Sequence, residues 1–210
     1  MDIQPPPKRR TQAERSEETR MRLCEATLDA LNELGYEKMS TQDVARRANV
    51  SRGALTHQFP SRNDLIIAAF RYLIDTWEQG WPFTPAGDLP RLEIEDLVDV
   101  LWAKLFHTGR YIASLEMMLA ARMDDDLGIG LRQEMSRWTT LRDRLLAEML
   151  GLPADDDHTK DFIQINLCLM RGIAVHRSFD TEPGQDQRLL AEWKRILAAA
   201  RAAGLLPRSP

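Results

Sequence analysis

Apolar residues recur along this chain at intervals of three and four, the period of helices rather than of strands. Leu23, Ala26, Ala30, Leu31 and Leu34 make one such face, followed by Gly35 as a stop signal. This predicts a first helix from about residue 17. Ser40 opens the next, with Asp43 in its first turn. There a hydroxyl can accept a free N–H and a carboxylate meets the positive helix end. Val44, Ala45 and Ala48 mark its inner face, with Arg46 and Arg47 on the outer one. Ser51 caps a third short helix that Pro60 ends. Ala54, Leu55 and Phe59 face inward there, leaving Arg52, Gly53, Thr56, His57 and Gln58 outside. Ser61 caps a fourth helix, 62–79, lined by Leu65, Ile66, Ala69, Phe70, Leu73, Ile74 and Trp77.

Residues 80–90 hold three prolines and two glycines and read as a loop. Beyond them, amphipathic helices are predicted over 92–106, 111–122, 127–150, 162–179 and from Leu189 to the region of Ala200. The segment 111–122 is apolar nearly all round and is expected to be buried. In 162–179 two faces are apolar: Phe162, Asn166, Leu169 and Ile173 on one, Ile163, Leu167, Met170 and Ala174 on the other. One face can pack on the chain's own core. The second needs another partner, so 158–179 and 185–203 are expected to pair with their copies in a homodimer. The fold class is all-α with about nine helices. Four parts are expected: a flexible basic arm at 1–15, a helix-turn-helix domain at 16–61, a connecting helix at 62–80 and a larger helical domain at 81–207.

Charge refines this picture. The formal net charge is −4, which excludes a globally basic nucleic-acid binder. Residues 1–60 carry ten basic and nine acidic side chains, whereas 61–210 carry eighteen and twenty-three. A weakly basic head on an acidic body suits a local DNA contact. The arm, with Pro5–Pro7 followed by Lys8, Arg9 and Arg10, reads equally well as a solvated terminus or as a strand along phosphates. Cys24 and Cys168 lie in apolar patterns and are expected to be buried thiols of a reducing cytoplasm. No apolar run reaches the ~18 residues of a membrane span.

Catalytic and metal motifs do not emerge. His57, His107, His158 and His176 are not spaced as a ligand cluster, and the Asp triplets at 124–126 and 155–157 sit where helix caps belong. No cofactor and no metal are called for.

The order and spacing of Gly35-Tyr36, Ser40-Thr41, Asp43-Val44-Ala45, Ala48-Asn49-Val50-Ser51, Gly53-Ala54-Leu55, His57, Phe59-Pro60-Ser61 and Asp64-Leu65 resemble the tetracycline-repressor-like (TetR) family of bacterial transcription regulators. The resemblance covers residues 17–65, with an architectural match beyond. It implies a repressor that binds a palindromic operator as a homodimer and is released by a small-molecule effector held in the C-terminal domain. For that effector the sequence offers Trp102, Phe106, Met117, Met118, Met123, Trp138 and Phe162 as apolar lining and His107, Tyr111 and Glu116 as polar anchors, each of them also an ordinary core residue. Such a lining would suit an apolar or aromatic ligand. Ser40, Thr41 and Arg62 match phosphate contacts of the family, and Arg52, Gly53 and His57 match positions that reach bases or backbone. Thr56 departs from the family's usual tyrosine, and Gln58 from a frequent histidine. The alternatives are a helical-bundle enzyme or ligand carrier, and a DNA-binding protein without an effector.

Overall fold

The computed structural model describes residues 11–84, 89–179 and 182–207. Over these the chain folds as α1 (Gln12–Lys38), α2 (Thr41–Arg47), α3 (Arg52–Gln58), α4 (Arg62–Gln79), α5 (Ile94–Leu101), α6 (Gly109–Ala120), α7 (Asp125–Leu150), α8 (Asp157–Arg177) and α9 (Gln185–Ala202). No strand occurs among the described residues. The helix starts carry the caps their sequences predict. Ser40, Ser51 and Ser61 each accept the backbone N–H three residues on, as do Asp124 for α7 and Asp156 for α8. Each cap satisfies a donor that the helix leaves open and contributes about 1 kcal/mol.

Several boundaries differ from the sequence reading. The helix expected from residue 17 starts at Gln12, because Thr11 and Glu14 form a reciprocal capping box. Residues 11–15 therefore do not belong to an arm, and residues 1–10 lie outside the described ones. The helix predicted over 92–106 is α-helical to Leu101 and then widens into a π-helical turn, Trp102–Phe106. This turn closes with His107 N–H donating to the Trp102 carbonyl. Helix α6 is only partly buried: Tyr111, Ala113, Ser114 and Met117 face inward while Leu119 faces out. Cys24 is buried but Cys168 is exposed, so only one of the two thiols lies where the apolar pattern places it.

Helix α1 organises the packing. Leu23, Thr27, Leu28, Ala30 and Leu31 are buried along it, and it touches α2, α3 and α4 as well as α6. Helix α4 buries Leu65, Ile66, Ala68, Ala69, Phe70, Leu73 and Ile74 and packs on α1 and on α7. One hydrophobic core therefore runs unbroken from Val44 and Leu55 in the short helices to Leu190 and Leu197 in α9. At the far end of α4 the aromatic rings gather. Trp77 lies 5.7 Å from Trp138, Phe83 meets Trp138 edge-on at 4.8 Å, and Tyr111 lies 4.6 Å from Phe106. Helix α9 docks through Leu190 and Leu197, and Trp193 Nε1–H donates to Asn166 Oδ1 at 2.9 Å. Lys194–Asp99 and Arg201–Glu93 ion pairs tie its outer side to α5 and the residue before it.

Helix α8 corrects the expected interface. Ile163, Leu167, Met170 and Ala174 do pack inward, but Asn166 and Ile173 of the second expected face are also buried within the chain. The outward apolar stripe is a third one: Ile165, Cys168, Gly172, Val175 and Phe179.

Two outcomes test this packing. Trp138→Ala removes the central ring of the aromatic cluster and should cost about 3–5 kcal/mol, read from urea unfolding at fixed protein concentration. Burial pushes the Cys24 thiol up to about 12. A thiol reagent at pH 8 should therefore leave Cys24 unmodified in the folded protein and modify it in urea.

Candidate nucleic-acid interface

Between α2 and α3 the chain turns in three residues. Asn49 takes φ 53°, a left-handed conformation that asparagine tolerates better than most side chains, and Val50 N–H returns to the Ala45 carbonyl. Ser51 then caps α3 at once. Val44, Ala45, Ala48, Leu55 and Phe59 are buried, which fixes both short helices against α1 and α4. The Arg20 guanidinium covers the Phe59 ring at 4.6 Å, and Gln58 Nε2–H donates to Ser16 Oγ at 2.7 Å. Gln58 is thus half-buried and holds α3 to α1, where the periodicity alone places it outside.

What remains outside is Arg52, Gly53, Thr56 and His57. A Cβ added to Gly53 would meet only Ser51 Oγ, at 4.0 Å, so the fold itself does not demand glycine there. Thr56 Oγ1–H donates to the Arg52 carbonyl at 3.1 Å, which occupies its one proton within the helix. An open groove of about 520 Å³ runs beside α3, walled by Ser40, Thr41, Arg52, Thr56, Ser61 and Arg62 among others. Five of the seven DNA-contact candidates therefore share one surface. Gly53 and His57 do not line this groove.

Arg62 differs from the free phosphate donor that the resemblance implies. Its Nη2–H groups donate to the carbonyls of Tyr36 at 2.5 Å and Met39 at 3.4 Å. Its guanidinium lies 4.1 Å over the Tyr36 ring. It braces the end of α1 against the start of α4, and Tyr36, a position that periodicity does not single out, is the other half of that brace. Asp43 lies in the first turn of α2. A hydrogen bond from the Ser40 hydroxyl, with Arg46 nearby, holds its carboxyl below the usual carboxylate range. Among the described residues no cluster of metal-ligating side chains occurs, and no helix is long and apolar enough to cross a membrane.

A three-helix head with a capped, outward-facing third helix is the form in which proteins present side chains to a DNA groove. The sequence model of bacterial regulatory proteins of the tetR family matches residues 23–69. The transcriptional regulator CymR of Pseudomonas putida is 30% identical over 190 residues, which cover 87% of this chain and 91% of that protein. The chain belongs to the tetR family. It is a helix-turn-helix transcriptional regulator and not an enzyme. A shorter match of 47% over 55 residues, 26% of this chain and 28% of the relative, links its head to the regulator BetI of Pectobacterium carotovorum. Among solved structures, the multidrug binding protein EbrR complexed with ethidium has a TM-score of 0.59 at 22% identity, covering 85% of this chain and 98% of that one. GusR of Salmonella enterica has a TM-score of 0.57 at 19% identity, over 90% and 95% of the two chains. These distant likenesses share the tetR fold.

The ligand-lining candidates of this tetR regulator are only partly assembled. Phe106, Tyr111 and Trp138 join Trp77 and Phe83 in the aromatic cluster. Tyr111 Oη accepts a hydrogen bond from Arg171 Nε at 3.0 Å; burial raises its hydroxyl pKa, with Arg171 opposing. In sequence Arg171 signals nothing beyond helix packing, since its partner lies sixty positions away. Met117 and Trp102 are buried, the latter edge-on to His107 at 5.6 Å. His107 itself faces a polar cleft of about 610 Å³ with Arg177 and Asp186. Phe162 is half-buried on α8. Glu116 turns away from the aromatic cluster, toward α1, and Met123 is 91% exposed and lines nothing inside.

The Asp43 geometry predicts a pH effect of definite sign. A carboxyl whose pKa is lowered by folding adds stability above its unfolded value, about 3.9, and loses it as pH falls through the lowered folded value. A carbon-13 NMR titration should give Asp43 a midpoint below the usual range in the native chain. Ser40→Ala should return that midpoint toward the ordinary one.

Proposed function

We propose that this regulator is a repressor that binds a palindromic operator as a homodimer and leaves it when a small effector binds in the helical domain of residues 81–207. The observation that carries the reading is the outward side of α3. Arg52, Gly53, Thr56 and His57 are exposed around one short helix whose inner side is locked into the core. Arg52 can reach a guanine edge or a phosphate, and His57 is a further donor. Gly53 leaves room for the duplex to approach the α3 backbone. Ser40 and Thr41 at the start of α2 take phosphates beside it.

Dimerisation through 158–179 and 185–203 is supported by the stripe on α8. Ile165 is 58% exposed and Phe179 69% exposed, and α9, which packs on α8, adds the exposed Leu189 and Ile196. A Cβ added at Gly172 would meet nothing within 4 Å, so the stripe is open at its middle and a second helix can come close. A twofold axis there would present two α3 helices to half-sites one or more helical turns apart.

The effector is read as apolar or aromatic, held at the ring cluster, with the Tyr111–Arg171 pair as its polar anchor. The structural neighbour EbrR carries ethidium, which is consistent with an aromatic ligand. Trp77 and Tyr111 connect that cluster to the end of α4. A ligand that binds one arrangement better than the other would swing 62–80 and change the separation of the two heads.

Duplexes selected by the wild-type chain from a random library provide the test. Arg52→Ala and His57→Ala should each weaken the selected duplex by about 1–3 kcal/mol with the dimer intact. Unchanged gel-shift affinity in both would refute the assignment of α3. Ile165→Glu should sediment as a monomer and expose Cys168 to thiol reagents. A wild-type chain that is already monomeric at micromolar concentration would remove the α8–α9 interface.

A further inference from the structure

We infer that Glu116 is a positioning residue that clamps the DNA-reading head to α6, gripping the one peptide group where α1 breaks. This rests on the reading of α3 as the DNA-reading helix.

The local geometry begins with Gly35, at φ 73° and ψ 169°, which interrupts α1 and turns Tyr36–Lys38 toward α2. That break takes the Tyr36 N–H out of the helical hydrogen-bond series. A half-buried N–H needs another acceptor, and Glu116 Oε2 supplies one at 2.8 Å from a residue eighty positions away. The fit is close. A Cβ on Gly35 would lie 3.3 Å from the same oxygen, so glycine serves both the backbone conformation and the carboxylate's approach. From the opposite side Arg62 takes the Tyr36 carbonyl and covers its ring. One residue is thus held at its N–H by an acid of α6, and at its carbonyl and ring by a base of α4.

The two clamps report on different parts of the body. Arg62 moves with α4. Glu116 moves with α6, which packs on α1 more extensively than any other pair of helices do. The residue after it, Met117, is fully buried in the body core. Three residues on from Tyr36 the chain meets Met39 and then Ser40, the cap of α2. A shift of α6 by about 1 Å would stretch the Glu116 bond beyond hydrogen-bonding range and release the segment that leads into α2 and α3. A second strut, Asn63 Nδ2–H to Asp124 Oδ2 at 3.0 Å, lies at the start of α7 and would survive that shift. Glu116 therefore supplies a route from the helical domain to the head that does not depend on the swing of α4.

Hydrogen exchange and operator binding test the clamp with Glu116→Ala and Glu116→Gln. Glutamine keeps a carbonyl oxygen for the Tyr36 N–H. In free protein, Glu116→Ala should speed amide exchange over residues 36–47 roughly tenfold or more while α7 and α8 exchange as in the native chain. Glu116→Gln should stay within about twofold. On the selected duplex, Glu116→Ala should bind about fivefold or more weakly with the dimer unchanged, and Glu116→Gln should restore most of the loss. Native exchange over 36–47 in Glu116→Ala would overturn the clamp, as would faster exchange spread evenly over all helices. If the wild-type chain selects no duplex, the DNA reading fails, and the exchange measurement still decides for or against Glu116.

Discussion

A helix of two turns does not persist in water by itself, because its nucleation is too costly for so few hydrogen bonds. Helices α2 and α3 are each seven residues long. Their existence depends on burying Val44, Ala45, Leu55 and Phe59 against α1 and α4, with caps from Ser40 and Ser51 at their starts. The length of α1 follows from this constraint. It must run past the short helices far enough to pack on α6 as well, so the same rod supports the head and joins it to the body. No boundary in the hydrophobic core separates the two. The head is thereby poised to feel changes in the body without any hinge of loose loop.

The readable parts of this fold are those written locally. Ser40, Ser51, Ser61, Asp124 and Asp156 each announce a helix start through the chemistry of one oxygen and one N–H three residues on. The inward positions of α4 and α7 follow from periodicity, since those helices are long enough to average out exceptions. The residues carrying the family resemblance fall in this same local region, which is why the head is legible in detail. Thr11 and Glu14 also form a local capping box, yet a search that begins from the first apolar positions of the helix passes it by.

What does not show in sequence is long-range pairing. Gln58 finds Ser16 forty-two positions away, and Glu116 finds the Tyr36 N–H across eighty. Helical period can say that Gln58 is off the apolar face; it cannot say that a serine on another helix waits for it. The same limit hides the partners that Arg62 has inside the chain, the carbonyls of Tyr36 and Met39 more than twenty positions away. On α8, a residue apolar by type, Ile173, and a polar one, Asn166, are both buried, because α9 brings Trp193 Nε1 to the asparagine. Only the third stripe is left bare, and no count of apolar faces could choose it before α9 is placed.

The division of labour on α3 has a consequence for how such a regulator diversifies. Among the described residues the side chains of Arg52 and His57 have no partner, and Gly53 meets no constraint beyond Ser51. Leu55, Gln58 and Phe59 on the same two turns are committed to the core or to α1. Mutation can therefore rewrite the outward letters at almost no cost in folding free energy, since surface changes away from packing and caps shift stability by only about 0.5 kcal/mol. With α3 as the DNA-reading helix proposed above, the recognised sequence is free to drift over generations while the scaffold stays fixed, and duplicated copies of the gene could part company in their targets long before they part in shape.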